Sequence, residues 1–533
     1  MKLVYAPSAR RMIPYPPVGP SLLSGALQQA GLPQPVLIDL ELRLWDLHRR
    51  GHTTILGSGT LAPGRALETR MPADVESYAN LLAAECKLGH GEDLGISVMG
   101  YEQLASALAL TRRALQDGSR VILGGQFWSS QTARDVLGTL QDSSVTITVG
   151  DGFESIVDWA RAASEIPRGS LRWVSGEVRE GASTAGKVLP PLPSLAGTDW
   201  ALYEALGRHA YGDRTSVRRA HLYVWDKLCP YRCTFCRVSS GSKVRLGDPE
   251  SIVPSLRSLV DAGVTQMNFM TNELNPSLSY MRRLVQSFGP ILSNYPEIGW
   301  FTYLRPDAMD EEDLVALRRL GCRLIRWGVE TGSQSLSDRM QKDYHMSTVA
   351  RVLHAAAKAD IANHINLLLG YPGETDDDVN ETLRFVTENA SVIHSVRINP
   401  FYLPPGTKLE REPQRFGLRL LEFKSGYWTF EREDGVALDA SVVQQRIERV
   451  GRRLIDLGIG FAGVLPFEFL NALCRESNRD SALAALRASQ PFLWTEASPD
   501  GLKAQFGKYK MKTDWSETIF QRGRNYQTVL CND

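Results

Sequence analysis

Apolar and polar positions along this chain follow two successive rhythms. In the first, short apolar runs at 3–6, 35–40, 94–99, 120–123 and 145–149 alternate with stretches of helical spacing at 21–30, 73–88, 102–116 and 133–140. Short continuous apolar runs read as buried strands, and apolar positions repeating every three to four residues read as amphipathic helices. Strand, helix, strand in that order requires crossovers, so the expected fold over 1–165 is a doubly wound, Rossmann-like α/β domain with parallel strands. Residues 166–214 break the rhythm. Glycine and proline crowd 186–197 and a short helical stretch covers 200–206, which reads as a connector.

The second rhythm starts at residue 220. Apolar runs at 220–225, 266–270, 300–304, 324–328, 362–369 and 396–401 are separated by helical spacing at 249–262, 278–288, 311–320, 348–359 and 379–389. Six such repeats predict a partial TIM-type barrel, (β/α)6, over 215–410, with its site at the carboxyl ends of the strands. Beyond Pro404-Pro-Gly-Thr407 the pattern becomes an aromatic-rich stretch at 422–433 and helical tracts at 442–457, 467–476 and 481–489. Residues 411–533 therefore read as a mainly helical region that covers the barrel or selects substrate. Its polar end carries Lys503, Lys508, Lys510, Lys512, Trp515 and Arg522. Those cations suit a solvated face, or a cover that meets an anionic substrate.

Composition narrows the class. A chain of 533 residues with 43% hydrophobic and 23% charged positions can bury several cores. Sixty basic residues balance sixty acidic ones, so no global field draws nucleic acid or an anionic membrane. The most apolar late stretch, 454–470, is interrupted by Asp456, Pro466 and Glu468 and is too polar to span a bilayer. The chain runs from Met1 directly into a strand-like segment, without a signal-peptide core. Cys86, Cys322, Cys474 and Cys531 are scattered, which fits a reducing compartment. The expectation is a cytoplasmic monomer acting on a small molecule, with neither nucleic acid nor membrane as partner.

The chemistry concentrates in Cys229-Pro-Tyr-Arg-Cys233-Thr-Phe-Cys236. Three thiolates at this spacing supply three of the four ligands that a four-iron cluster normally takes. Zinc would want a fourth Cys or His close by, and His221 lacks ligand spacing. The run resembles the signature of the radical S-adenosylmethionine (SAM) enzymes. That resemblance implies a 4Fe-4S cluster whose open iron binds the amino and carboxylate groups of SAM. It also implies cleavage of SAM to a 5'-deoxyadenosyl radical, and an external electron donor such as flavodoxin or ferredoxin.

The strand ends of the second rhythm extend the resemblance. Asn272-Glu273 follows the second strand, Arg305 the third in Tyr303-Leu-Arg-Pro306, and Glu330 the fourth in Trp327-Gly-Val-Glu-Thr-Gly-Ser-Gln334. Gly370-Tyr371-Pro-Gly-Glu-Thr375 follows the fifth. SAM carries a sulfonium, an ammonium, a carboxylate and a diol, so acidic, basic and amide groups must converge on one mouth. By resemblance, Asn272 and Glu273 bind the amino group, Arg305 the carboxylate, and Glu330 the ribose or ammonium end. Phe235 then lies near the adenine, and Tyr371 joins the SAM-binding set. The plainer readings are surface ion pairs for Arg305 and Glu330, and a helix cap for the string ending at Thr375.

The strand ends of the first rhythm are rich in small residues: Ser97-Val98-Met-Gly100, Gly124-Gly125-Gln126 and Gly150-Asp-Gly152-Phe-Glu154. With Pro16-Pro17-Val-Gly19 before the first helix, they resemble the N-terminal cobalamin-binding domain of one large radical SAM subgroup. The resemblance implies a cobalamin site lined by Pro17, Ser97, Val98, Gly124, Gly125, Gln126, Gly150, Gly152 and Glu154. Asp46-Leu-His48-Arg-Arg-Gly51 matches Asp-x-His-x-x-Gly, the motif whose histidine ligates cobalt in methionine-synthase-like proteins. Here it follows the second strand within helical spacing, so no histidine is expected beneath the cobalt. Three functions follow from these resemblances. The first is a cobalamin-dependent methyltransferase acting on an unactivated carbon, or phosphorus, of a natural-product intermediate. The second is a non-methylating cyclisation, ring contraction or rearrangement, and the third a cluster-bearing sensor or scaffold. No carboxylate or histidine pair stands out as acid and base, so no catalytic residue is assigned.

Overall fold

The computed structural model describes the chain except residues 8–14, 52–65, 69, 162–164, 185–190, 212, 214, 225, 228, 240–244, 308, 425–426, 434–439, 462–469, 471–472, 475–480, 482–494, 499–500, 507–508 and 513–533. It forms two compact units, Met1–His221 with Pro254–Val264, and Leu222–Val253 with Thr265–Asp533.

In the first unit, strands β1 (Lys2–Tyr5), β2 (Val36–Asp39), β3 (Leu94–Ser97), β4 (Val121–Gly124), β5 (Val145–Thr148), β6 (Ser170–Val174) and β7 (Glu177–Glu180) form one sheet. Their order is β2-β1-β3-β4-β5-β6-β7, and the neighbours from β2 to β5 are parallel. This is the flavodoxin-like order, whose direction of winding reverses between β1 and β3. Successive side chains on a strand face opposite ways, so each strand feeds two cores. Leu3 and Ile122 join Leu27 and Trp159 on one face, while Val4 and Leu123 join Leu108 and Val136 on the other. The double burial explains why these strands are short apolar runs rather than alternating ones.

Part of the stretch read as a connector belongs to this sheet. β6 and β7 add to β5 in antiparallel fashion. The sequence Glu-Val-Arg-Glu of β7 lies at a mostly exposed edge, so it carries little apolar signal. Helix Trp200–Tyr211 packs Leu202, Tyr203 and Leu206 against Leu42 and Trp45, and Arg219 and Asp213 form a fully buried two-pronged ion pair at 2.8 Å.

The second sheet contains all six strands expected: β8 (Arg218–Tyr223), β11 (Val264–Met270), β12 (Gly299–Leu304), β13 (Cys322–Glu330), β14 (Ala362–Leu369) and β15 (Ser395–Pro400). Between β8 and β11 lies a two-residue ladder of β9 (Asp226–Lys227) and β10 (Arg245–Leu246). The order is β18-β15-β14-β13-β12-β11-β8, with parallel pairing from β11 through β18. The extra strand β18 (Gly460–Phe461) comes from the region read as helical.

That region is also less helical than expected among the described residues. The aromatic-rich stretch forms a hairpin of β16 (Leu418–Lys424) and β17 (Tyr427–Arg432), followed by helix Ala440–Asp456. The hairpin is a tertiary choice: Leu418, Leu420, Trp428 and Phe430 pack on Leu403, Leu409 and Phe401. Near the end, β19 (Thr495–Ser498), β20 (Gly501–Phe506) and β21 (Tyr509–Lys512) form an antiparallel sheet. The helical tracts expected at 467–476 and 481–489, with Lys508, Trp515 and Arg522, fall largely outside the described residues. No described helix is long and apolar enough to cross a membrane.

Candidate functional site

The three cysteines of the motif lie on the loop between β9 and β10, closed by a 3-10 turn at Arg237–Ser239. The Cys229 amide donates to the Val238 carbonyl at 3.0 Å, and the Cys236 amide to the Cys233 carbonyl at 3.2 Å. Thr234 pins the loop's centre: its amide donates to the Met340 carbonyl at 3.0 Å, its carbonyl accepts from the Leu409 amide at 3.2 Å, and its hydroxyl lies 2.8 Å from that of Tyr371. Burial pushes the Cys229 thiol up to about 12. A coordinated metal would reverse that, since a coordinating thiol is deprotonated. Among the described residues no three His, Cys, Asp or Glu side chains gather as ligands of one ion would. A cluster that takes one cysteine per iron does not require it.

Charged groups from three strand ends meet at this loop. Arg305, just past β12, is 3% exposed; its guanidinium lies 3.8 Å from the ring centre of Tyr231 and 4.8 Å from that of Tyr344. Its Nε donates to Asp307 at 2.7 Å, and Asn275 holds its backbone with two bonds of 3.0 Å. Its Nη2 is buried without a hydrogen-bond partner among the described residues. Glu273 is partly buried beyond β11; burial pushes it up to about 8, against the pull of Lys342 and Arg305.

Glu330 owes its position to an irregularity in the sheet. Trp327 pairs with Ile365 but Glu330 with Leu367, so β13 carries one residue more than β14 across that step. Such a bulge re-aims a side chain. Glu330 also adopts φ +67°, which is strained for a residue with a Cβ. The result sets its carboxylate 3.8 Å from Lys342 Nζ, with the two side chains 14% and 7% exposed. Burial raises Glu330 and Lys342 draws it back. For Lys342 burial opposes the charge, but Tyr344, Cys233 and Glu330 outweigh it and hold the amine above its ordinary value. Gly328 leaves room for the pair, because a Cβ there would meet Glu330 Oε1 at 3.3 Å and Lys342 Nζ at 3.5 Å.

The structure therefore brings Cys229, Cys233, Phe235, Glu273, Arg305 and Glu330 into one electrostatic neighbourhood. Asn272 is exposed beside Glu273. Tyr371 is only 2% exposed and its hydroxyl faces Thr234 and the Arg339 carbonyl, so it braces the cysteine loop. The string ending at Thr375 is the helix cap of the plainer reading: Thr375 and Asp378 form a reciprocal capping box for helix Asp376–Glu388. Sequence reasoning missed Tyr231, Asp307, Lys342 and Tyr344. Lys342 and Tyr344 follow the short helix Gln334–Arg339 rather than a strand, so a search of strand ends passes over them.

In the first unit, the residues expected to line the other cofactor site lie at the carboxyl edge of β3, β4 and β5. Pro17 precedes helix Val18–Gln29, whose Gly19 lies against Ser97: a Cβ would be 3.7 Å from the serine oxygen. Gly125, at φ +110°, would place a Cβ 2.3 Å from the Val98 carbonyl, so packing alone demands glycine. Gly124 ends β4 and Gln126 beyond it is exposed; Gly150 has φ +91° and Gly152 opens helix Gly152–Ala160. Glu154 is 8% exposed and is engaged by Arg168 at 3.4 Å. His48 sits in the last turn of helix Leu40–Arg49, after β2, and Asp46 binds Arg49 and Arg50 at 2.6 and 2.7 Å.

Residues 227–386, which carry the three cysteines with Glu273, Arg305, Glu330 and Lys342, match the model of the Radical SAM superfamily. The unit built on β8 to β18 thus holds a radical SAM domain. At the level of particular proteins, the chain is similar to the radical SAM methyltransferase TsrM from Kitasatospora setae, in a structure with cobalamin and a 4Fe-4S cluster bound. That likeness has a TM-score of 0.58 at 14% identity over 92% of this chain and 99% of the other. It is also similar to the cobalamin-dependent SAM radical enzyme OxsB with aqua-cobalamin and SAM bound, at TM-score 0.59 and 15% identity over 85% and 66% of the two chains. By sequence it matches the threonylcarbamoyladenosine tRNA methylthiotransferase MtaB of Bacillus subtilis, 25% identical over 225 residues, 39% of this chain and 47% of the other. The matched stretch spans about half the length of that curated relative.

Proposed function

We propose that this protein is a cobalamin-dependent radical SAM enzyme, and that it transfers a methyl group to carbon or phosphorus of a small molecule. The observation that carries the reading is the convergence of Glu273, Arg305, Glu330 and Lys342 on a loop with three cysteines and no fourth, inside the matched domain. These residues fit the groups in question. Arg305 offers a buried guanidinium nitrogen without a hydrogen-bond partner among the described residues, and Glu273 and Glu330 are part-buried acids that burial shifts upward. A cation and an acid side by side suit a ligand with both a carboxylate and an ammonium.

In this reading Cys229, Cys233 and Cys236 hold a 4Fe-4S cluster, and Lys342 and Arg305 take the carboxylate of SAM. Glu273 with Asn272 and Glu330 take its ammonium and ribose, and Phe235 borders the adenine. Tyr371 and Thr234 keep the cysteine loop in place. When bound, these groups supply hydrogen abstraction and, with cobalamin, a methyl group for transfer. Residues 1–165 are the cobalamin domain, with Pro17, Ser97, Val98, Gly124, Gly125, Gln126, Gly150 and Gly152 at its ligand edge. Glu154, turned to Arg168, acts there as a brace. Residues 215–410 are the barrel and 411–533 the substrate-selecting region. Support for cobalamin comes from the two likenesses that extend over both units, TsrM and OxsB. Tryptophan, described as the substrate of TsrM, supports a small-molecule substrate.

Anaerobically reconstituted protein, supplied with reductant, cobalamin and SAM labelled in its methyl group, tests the reading. Cobalamin retention in the absorbance spectrum, deoxyadenosine formation and labelled methyl in product are expected. Deoxyadenosine without methyl transfer would favour the rearrangement chemistry, and no deoxyadenosine at all would sink the enzyme reading. The similarity to MtaB makes tRNA the control substrate, where label is not expected.

A further inference from the structure

The barrel's interior holds a second polar layer that the SAM-facing groups leave unused. Sheet register places Tyr303, Arg326, His364 and Ser395 opposite one another on the consecutive strands β12, β13, β14 and β15. One rung higher, Asn366 on β14 pairs with Arg397 on β15. These side chains point inward. Their strand neighbours Asn363 and Trp327 face outward, since Asn363 bonds Trp327 and the carbonyls of Leu353 and Val392 at 2.7 to 2.9 Å. The rung below is apolar, with Phe301, Leu324 and Ala362 in register. Two residues further along β13 from Arg326 comes Gly328, beside Glu330 and Lys342. At the rise of a strand that is roughly 7 Å, so the layer lies directly beneath the mouth.

The layer carries two guanidiniums, those of Arg326 and Arg397. The Arg326 guanidinium stacks on the Tyr303 ring at 4.4 Å. His364 is 5% exposed; its Nδ1 lies 2.7 Å from Ser395 Oγ, and its Nε2 is buried with no hydrogen-bond partner among the described residues. Burial, then Arg326 and Arg397, hold the imidazole well below its ordinary pKa. A buried polar atom left unpaired is costly, and its usual explanation is a water, an ion or a ligand group. Planar guanidinium forks are matched to carboxylate and phosphate oxygens.

We propose that Arg326, Arg397 and His364 Nε2 form an oxyanion site in the barrel interior, which holds a carboxylate or phosphate of the substrate beneath the SAM-facing groups. This rests on the reading of the mouth given above and adds the class of substrate. Held there, the anionic end is deep and the carbon to be attacked lies toward Glu330 and Lys342.

The test uses the full chain, reconstituted anaerobically, with its nine histidines labelled at 13Cε1. His364→Gln identifies the His364 resonance. Inorganic phosphate and succinate are titrated separately at constant ionic strength. The site predicts a saturable shift of that resonance with at least one anion, weakened ten-fold or more in Arg326→Gln and Arg397→Gln and largely retained in Arg397→Lys. Phosphate alone marks a phosphorylated substrate, succinate alone a carboxylic acid. The other eight resonances report folding of each variant. No saturable shift with either anion means that water satisfies Nε2 and overturns the proposal, as does a shift indifferent to both arginine variants. Deoxyadenosine formation in the same samples separates the two readings. Its presence without anion binding removes only this proposal, and its absence with anion binding removes only the assignment of the mouth.

Discussion

Replacing Lys342 with methionine isolates the group that strand-end reasoning overlooked. The ammonium lies 3.8 Å from the Glu330 carboxylate, with side chains 7% and 14% exposed. At an effective dielectric of about 20, unit charges at that separation attract by about 4 kcal/mol. Removing one partner of a buried pair typically costs about 3–5 kcal/mol, because the other charge is stranded. Here Glu330 can respond by taking up a proton, since burial already raises it and Lys342 is what lowers it. The expected loss for Lys342→Met is therefore about 3 kcal/mol at pH 8 and less at pH 6. Glu330→Gln combined with Lys342→Met should recover at least about 2 kcal/mol relative to the sum of the single losses. Urea unfolding of the cofactor-free protein measures all four corners of the cycle, and calorimetry of SAM binding supplies the functional arm. Lys342→Met should weaken SAM binding at least ten-fold, with Lys342→Arg largely intact. Additive single losses, within about 0.5 kcal/mol, would refute the buried pair, and unchanged SAM affinity would refute its role.

Other positions give independent checks. Alanine at Cys229, Cys233 or Cys236 should abolish deoxyadenosine formation while leaving cobalamin retention intact, measured by product chromatography and visible absorbance on the same sample. Asp378 is 3% exposed and accepts from Ser333, Ser335, Thr375 and Arg339 at 2.5 to 2.9 Å. Asp378→Ala should therefore cost about 3 kcal/mol in urea unfolding, and a loss under 1 kcal/mol would contradict the network. In the first unit, burial pushes Asp39 from 3.8 up to about 6, against bonds from Leu42 and Tyr203. A carboxyl raised in the folded state holds an extra proton there between those values. Its contribution is complete below about pH 4 and is lost as pH rises through about 6, by up to about 3 kcal/mol. Unfolding followed by fluorescence between pH 4.5 and 7 should show that slope, and Asp39→Asn should remove it. Gly125→Ala, whose Cβ would lie 2.3 Å from the Val98 carbonyl, should destabilise the first unit by at least about 2 kcal/mol and lower cobalamin retention.

Local pattern was informative wherever the fold buries a strand on both faces or places a group at a strand's end. β1, β3, β4 and β5 are apolar runs because both their faces are covered, and burial of that kind is written into consecutive residues. The cysteine spacing likewise needs no tertiary context, since one loop carries all three thiols. Edge strand β7 and hairpin β16–β17 were not legible, as their stability comes from what they pack against or pair with.

By itself, then, the sequence determined the two α/β rhythms, the three-cysteine loop and the identities of Glu273, Arg305 and Glu330 at strand ends. Only the tertiary structure decided what those groups face. The bulge in β13 turns Glu330 toward Lys342, twelve residues on and off any strand. Register, which sequence cannot specify, sets Tyr303, Arg326, His364 and Ser395 on one rung. Side-chain chemistry is local, but its charge state and its partners depend on burial and on long-range pairing, and both exist only once the chain has folded.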